Sequence, residues 1–184
     1  MPDSYSFRVD ARVRFEALYG AHCGAVRSFV HRRVSPATAD DVVSDVFVTA
    51  WRRLSEAPED EVTWLLGIAR GVIANRRRGE ARRQALHERL VATAVVEVDP
   101  GPERGASESG LLGALASLSE RDQELLRLVA WDGLDRARAA QVLGISASLF
   151  SLRLHRARRR LARALAGQET AEQRAGDQSS LEVM

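Results

Sequence analysis

The C-terminal third of the chain contains a run of arginines with no acidic residue between residues 150 and 168. The run consists of Arg153, Arg156, Arg158, Arg159, Arg160 and Arg163. An arginine side chain can bind a phosphate, or the edge of a guanine, through two parallel hydrogen bonds. At least part of this run is therefore expected to contact the phosphates of duplex DNA. The alternative is a solvated basic face on an ordinary helical bundle.

Residues 133–160 have the order of a helix-turn-helix. Asp135 can cap a short helix, and Gly144 stands where that helix is expected to end in the left-handed conformation that glycine adopts cheaply. Ile145 is expected to be a buried turn residue. Ser146 can accept a hydrogen bond from the first free N–H groups of the next helix. The core stripe of that helix is predicted to be Phe150, Leu154, Ala157, Leu161 and Leu165.

The opposite side of this second helix carries mostly polar and basic residues. A helix of this diameter fits the major groove of B-form DNA, where arginine can bind guanine bidentately. The second helix is therefore predicted to be the DNA-reading element. The residues predicted to lie off the core stripe are Ser151, Leu152, His155, Arg156, Arg159 and Arg160.

Residues 13–83 repeat apolar residues at helical spacing in three successive segments. The first has Phe15 near its start, and the third is predicted to end at Gly79. The second, over residues 38–54, is the clearest, and its start at Thr38 fits a capping box. Three packed helices are expected here.

The end of the third segment carries a second basic patch. Between residues 70 and 83 there are six arginines against one acid, Glu80. Such a patch is suited to phosphate contacts. Its arginines are Arg70, Arg76, Arg77, Arg78, Arg82 and Arg83.

Composition limits the classes of function. The 184 residues are 45% hydrophobic and 28% charged, which allows one or two small cores. Neither a membrane-length apolar run nor a signal-peptide pattern is present in the sequence, so a cytoplasmic protein without membrane insertion is expected. Cys23 is the only cysteine, and no spacing suits a metal, a cofactor or a nucleophile with its base. The protein is therefore not expected to be an enzyme or to bind a metal or a cofactor.

The predicted fold class is all-α, with two small helical domains joined by a flexible linker. Residues 13–83 form the first domain, a helical bundle, and residues 111–166 form the second, which contains the helix-turn-helix. Residues 84–110 are rich in Gly, Pro, Ser and acids near their end and are interpreted as the linker. The polar residues 167–184 are expected to be a disordered tail.

The ordered set of these segments resembles regions 2 and 4 of the ECF (extracytoplasmic function) sigma factors of bacterial RNA polymerase, in the sigma-70 family. The resemblance covers about residues 13–166 and rests on ADDVVSDVFVTAWRRL, TWLLGIARGVIANRRRGEARR and the helix-turn-helix with the helix before it. It implies two helical domains that bind the polymerase core and promoter DNA. The implied polymerase contacts are the clamp helices of the largest subunit and the flap of the second subunit.

The resemblance assigns a role to each surface. The polar face of the second helix is implied to bind polymerase through Asp41, Ser44, Asp45, Val48, Thr49 and Arg52. The third helix is implied to recognise and open the −10 element through Trp64, Gly71, Asn75, Arg76, Arg77, Arg78, Arg82 and Arg83. The recognition helix is implied to bind the −35 element through Ser146, Ser148, Ser151, Leu152, His155, Arg156, Arg159 and Arg160. Trp64 fits either the core or a platform for base stacking.

The chain departs from the family pattern at several positions. Gly71 stands where the family commonly has an asparagine that can bond a base edge, and Ser151 replaces a basic residue. Arg138 stands where an acid is frequent. These departures suggest an unusual promoter sequence.

Two other interpretations remain open. The first is a stand-alone helix-turn-helix regulator, which would bind operators without polymerase. The second, suggested by Gly71, is a sigma-like decoy that would bind polymerase without melting DNA. Promoter-directed RNA synthesis separates the first from a sigma factor, and permanganate footprinting separates the second. The resemblance to this family also implies an anti-sigma protein as a partner.

Overall fold

Helices account for all the regular secondary structure of the described residues. A computed structural model describes residues 4–91 and 110–181, and these contain seven α-helices and one short 3₁₀ helix. The chain divides into two compact units, Met1–Glu97 and Val98–Met184. The all-α prediction is confirmed.

The N-terminal unit is built from three long helices. They are α1 (Ser4–His31), α2 (Pro36–Arg52) and α3 (Glu61–Val91), with the 3₁₀ helix Leu54–Glu56 between α2 and α3. Each of the three α-helices packs against the other two. Their shared core includes Leu18, Val26, Phe29, Val30, Val42, Val46, Leu65 and Ala69. The apolar residues at helical spacing are therefore the ones that meet in the centre.

The start of α2 differs from the sequence prediction. The cap position is Ser35, and Pro36 is the first helical residue. Thr38 lies inside the first turn, where its hydroxyl donates to the carbonyl oxygen of Ser35 at 3.1 Å. The predicted capping box at Thr38 is therefore wrong. Proline favours the first helical position because its fixed φ suits a helix and it has no N–H to leave unpaired.

Two helices extend beyond their predicted ends. The third segment was expected to stop at Gly79, but α3 continues to Val91 and includes the first eight residues of the predicted linker. Of the remaining linker, residues 92–109 lie outside the described residues, and Gly110 caps α4. Helix α7 runs to Leu181, although residues 167–184 were predicted to be disordered. The extension of α3 is rich in Ala, Arg, Gln and Glu, so helix propensity favours its continuation, and neither extension contains a proline that would end the helix.

The described part of the C-terminal unit, residues 110–181, contains four helices. They are α4 (Leu111–Ala116), α5 (Glu120–Ala130), α6 (Arg136–Leu143) and α7 (Ala147–Leu181). The long helix α7 packs against all three others. The core of this unit includes Leu115, Leu125, Leu128, Leu134, Ala139, Ala140, Val142, Phe150, Leu154 and Ala157. These contacts fix which side of α7 remains exposed.

Candidate DNA and protein interfaces

The turn between α6 and α7 positions the start of the predicted recognition helix. The carboxylate of Asp135 accepts a hydrogen bond from the N–H of Arg138 at 2.9 Å, and Gly144 adopts the left-handed conformation with φ 66°. The hydroxyl of Ser146 accepts from the N–H of Leu149 at 3.3 Å. These three local predictions are confirmed. Ile145 is half-buried, because the turn leaves one of its sides open to solvent.

The first turns of α7 present an exposed face opposite the core residues Phe150, Leu154 and Ala157. Ser151 is half-buried, and the hydroxyl oxygen of Ser146 accepts the capping bond, which leaves its O–H able to donate. Two of the residues predicted to continue the apolar stripe, Leu161 and Leu165, are half-buried. The exposed residues of this face include Ser148, Leu149, Leu152, His155, Arg156 and Arg159.

Arg160 is bound within the protein. Its Nη1 donates to both carboxylate oxygens of Asp122, at 3.0 and 2.7 Å, and so links α7 to α5. Asp122 is only 5% exposed. Sequence analysis placed Arg160 among the DNA contacts because no acid lies near it in the chain. Its acidic partner is 38 residues away, and only the packing of α5 on α7 reveals it.

Asp122 lies in the first turn of α5, next to the cap of that helix. The hydroxyl of Ser119 accepts a hydrogen bond from the N–H of Asp122 at 3.2 Å. The carboxylate of Asp122 binds the guanidinium of Arg160. A partly buried carboxylate gains more from a charged donor than from a backbone N–H, because charge-assisted hydrogen bonds are the stronger kind.

Part of the predicted −10 surface forms one stripe along α3. Spacings of seven, four, three and four residues place Trp64, Gly71, Asn75, Arg78 and Arg82 on the same side of this helix. Trp64 and Gly71 are half-buried, whereas the other three are exposed. Asn75 accepts a hydrogen bond from Arg78 through its side-chain oxygen. The stripe is therefore aromatic at one end and basic at the other.

The other arginines of the second basic patch are divided between two environments. Arg76 donates at 3.5 Å to the backbone oxygen of Thr38 and to the carboxylate of Asp41, and Arg77 donates to the backbone oxygen of Arg33 at 3.1 Å. These two arginines fasten α3 to its neighbours. Arg82 and Arg83 are exposed, and neither forms an ion pair with another described residue. The DNA-contact prediction thus fits Arg78, Arg82 and Arg83 best.

Arg33 has a structural role that sequence reasoning missed. It is 8% exposed, and its Nη1 donates to the backbone oxygen of Phe29 at 3.0 Å, at the end of α1. Its guanidinium carbon lies 3.5 Å from the centre of the Phe29 ring. In the sequence, Arg33 looks like any surface arginine. Nothing local distinguishes it from Arg32.

The predicted polymerase-binding residues share one side of α2. Asp41, Ser44, Asp45, Val48 and Arg52 are exposed, while Thr49 is half-buried. Spacings of three and four residues place all six on the same side of the helix. The hydroxyl of Thr49 donates to the backbone oxygen of Asp45 at 2.8 Å. The set is named the α2 face below.

An aromatic cluster that sequence analysis did not predict borders the α2 face. The ring of Phe15 lies 5.1 Å from that of Trp51, and the ring of Tyr19 lies 4.6 Å from that of Phe47. Trp51 and Tyr19 are both partly exposed. A hydrogen bond with Cys23 raises the pKa of the Tyr19 hydroxyl. The α2 face therefore combines charge with apolar surface, as protein interfaces do.

The sequence matches two family models in the order that the fold presents. Residues 18–83 match sigma-70 region 2, and residues 110–161 match sigma-70 region 4. The chain belongs to the ECF sigma factors of the sigma-70 family. It is thus an RNA polymerase sigma factor, and members of this family are DNA-binding factors that initiate transcription.

Individual relatives agree with this assignment. The sigma factor is 32% identical over 161 residues to the ECF RNA polymerase sigma factor BldN of Streptomyces coelicolor, covering 82% of this chain and 60% of that protein. It is 33% identical to the ferric citrate uptake sigma factor FecI of Escherichia coli, covering 75% and 83%. The chain thus spans less than two thirds of BldN.

A solved structure supports the same fold. CnrH, in complex with the cytosolic domain of CnrY, is 26% identical, with a TM-score of 0.57 over 83% of this chain and 88% of that one. Among the described residues of this sigma factor, none of the helices could span a membrane. The same part of the chain contains no group of His, Cys, Asp and Glu suited to a metal.

Gly71 of the sigma factor occupies open helix surface, since a Cβ built there would meet nothing within 4 Å. We expect Gly71→Ala to raise the free energy of unfolding of the N-terminal unit by about 0.4–1 kcal/mol, because alanine restricts the unfolded chain. Hydrogen exchange of α3 measures this change. The matched control is Gly144→Ala, which places alanine at φ 66° and should lower the stability of the C-terminal unit by about 1–2 kcal/mol. Destabilisation by Gly71→Ala would contradict an open surface at this position.

Proposed function

We propose that this sigma factor directs bacterial core RNA polymerase to a specific set of promoters and starts transcription there. The C-terminal unit binds the −35 element through α7, and the N-terminal unit binds polymerase through the α2 face and opens the −10 element along α3. The protein acts in the cytoplasm and catalyses no reaction itself. One observation carries the proposal: the capped helix-turn-helix exposes Leu152, His155, Arg156 and Arg159 on a face that the core leaves free.

Each surface suits its assigned partner. On α7, arginines stand beyond the first turns, where a helix in the major groove can reach both base edges and phosphates. On α3, Trp64 offers a ring for stacking, and Arg78, Arg82 and Arg83 offer phosphate contacts for a single strand. Unstacking a base costs a few kcal/mol, which such contacts offset. On the α2 face, exposed Val48 supplies apolar contact area beside charged residues.

We also propose that a regulatory protein covers these surfaces. The related CnrH was solved in complex with the cytosolic domain of CnrY. In the present chain, the exposed apolar side chains of Val48, Trp51 and Leu152 would be suited to burial by such a partner.

Reconstituted run-off transcription tests the function. Core polymerase with this protein should initiate at defined start sites on genomic fragments, and core polymerase alone should not. A stand-alone repressor cannot confer such initiation. Permanganate footprinting of the upstream single strand then separates a complete sigma factor from a decoy that binds polymerase without melting DNA.

Asp45→Arg should weaken core polymerase binding. Asp45 is exposed on the α2 face, and its carboxylate has no ion-pair partner within the described ranges. The substitution should therefore change the free energy of unfolding by less than about 0.5 kcal/mol. A fluorescence titration with core polymerase measures the affinity. Glu80→Arg provides the control, because it makes the same charge change at an exposed position of α3. Equal affinities for Asp45→Arg and wild type would remove Asp45 from the interface.

A further inference from the structure

Two leucines stand exposed where α7 begins. Leu149 is 36% exposed and Leu152 is 48% exposed, and the two lie three residues apart on the solvent side of the helix. The core side of the same turns is filled by Phe150 and Leu154, which are 0% and 3% exposed. The fold of the C-terminal unit therefore leaves these two leucines uncovered.

The neighbours of the leucines are short and polar. Ser148 is exposed and Ser151 half-buried, and each carries one hydroxyl. Arg153 is half-buried, so the first fully exposed arginine on this face is Arg156, one turn beyond Leu152. The start of the recognition helix thus offers methyl groups, and its basic contacts begin one turn later.

The major groove contains one apolar feature, the C5-methyl group of thymine. Every base pair also presents hydrogen-bond donors and acceptors there, and a leucine packed over those groups removes them from water without replacing their bonds. Only a pair that contains thymine offsets this cost with a methyl contact. A leucine at the groove floor therefore favours a thymine and disfavours a G·C pair.

We propose that Leu149 and Leu152 read thymine methyl groups in the upstream promoter element. The element contains at least one thymine beneath these leucines, and Arg156 contacts the base pairs one helical turn further along α7. This inference rests on the proposed function, because it assigns a specificity to the same DNA-binding face. The competing interpretation is that the two leucines dock on core polymerase during initiation.

Replacing thymine with deoxyuridine tests the proposal directly, since this change removes the methyl group and keeps every hydrogen-bonding atom. The probe is the strongest promoter found in the run-off assay, with each upstream thymine replaced singly. For the wild-type holoenzyme, we expect one or two positions where deoxyuridine weakens binding by about three- to tenfold. This range corresponds to the free energy of burying one methyl group. In Leu152→Ala or Leu149→Ala, the same replacement should change binding by less than about twofold at the matching position.

Leu112→Ala is the matched control, because Leu112 is 62% exposed on α4 and lies outside the recognition helix. Promoter binding by the Leu112→Ala holoenzyme should be weakened by deoxyuridine as much as binding by the wild-type holoenzyme is. Since all three leucines are exposed, the variants should fold, and circular dichroism checks this.

Three results would overturn the methyl-reading proposal while leaving the sigma function intact. They are an upstream element without thymine, deoxyuridine effects that are absent in wild type, and effects that persist unchanged in both leucine variants. Leucine variants that weaken core polymerase binding without DNA would point to protein docking instead. Failure of the wild-type holoenzyme to initiate at any promoter would contradict the proposed function itself.

Discussion

Arg160→Ala is expected to lower the stability of the C-terminal unit by about 1–3 kcal/mol, because it leaves the carboxylate of Asp122 buried without its charged partner. Breaking a fully buried ion pair costs more, but the side chain of Arg160 is half-exposed, and solvent reduces the loss. Hydrogen exchange measured peptide by peptide on the full chain should show faster exchange in α5 and α7. Exchange in α1–α3 should not change.

Two variants separate this structural role from a DNA contact. Arg159→Ala removes an adjacent exposed arginine, so it should weaken DNA binding and reduce its salt dependence with little effect on stability. The double change Asp122→Leu with Arg160→Leu should recover much of the lost stability, since an apolar pair leaves no buried charge. If Arg160→Ala folds normally and weakens all promoters alike, the phosphate contact predicted from the sequence is its main role.

Arg33→Ala should destabilise the N-terminal unit by about 2–4 kcal/mol. The change removes a charge-assisted hydrogen bond to the end of α1 and the contact of the guanidinium with the ring of Phe29. Arg33→Lys should restore little, because a lysine ammonium has no planar face to stack on the ring. Hydrogen exchange of α1 and α2 measures the loss.

The exposed neighbour Arg32 provides the comparison for this prediction. Arg32→Ala should change the stability of the same unit by less than about 1 kcal/mol, since surface substitutions have small effects. Equal losses for Arg32→Ala and Arg33→Ala would show that the burial of Arg33 contributes nothing.

The features predicted correctly from the sequence depend on residues close together in the chain. The capping hydrogen bonds at Asp135, Gly144 and Ser146 join residues only three or four positions apart in the chain. The types and spacing of these residues were therefore enough to place the turn. The apolar periodicity likewise placed most of the core, because each helix buries the side that its own sequence makes apolar. The all-α fold follows from these local signals.

Several features that the sequence did not reveal depend on residues far apart. The partner of Arg160 is Asp122, and that of Arg76 is Asp41, 35 residues earlier. A run of arginines looks uniformly free when only neighbours along the chain are considered. Arg160 in the C-terminal run and Arg76 and Arg77 in the basic patch of α3 in fact hold helices together, while others remain exposed. Helix packing decides which is which, and it has no signature within the run.

The contact between Arg76 and Asp41 joins two surfaces that have different proposed partners. Asp41 belongs to the α2 face, and Arg76 belongs to the basic patch of α3. A polymerase group that attracts Asp41 competes with Arg76 for it, and a phosphate that attracts Arg76 competes with Asp41. The pair is partly exposed and is worth at most about 1 kcal/mol, so either partner can displace it at low cost. By thermodynamic reciprocity, each binding event that breaks the ion pair between Arg76 and Asp41 favours the other binding event.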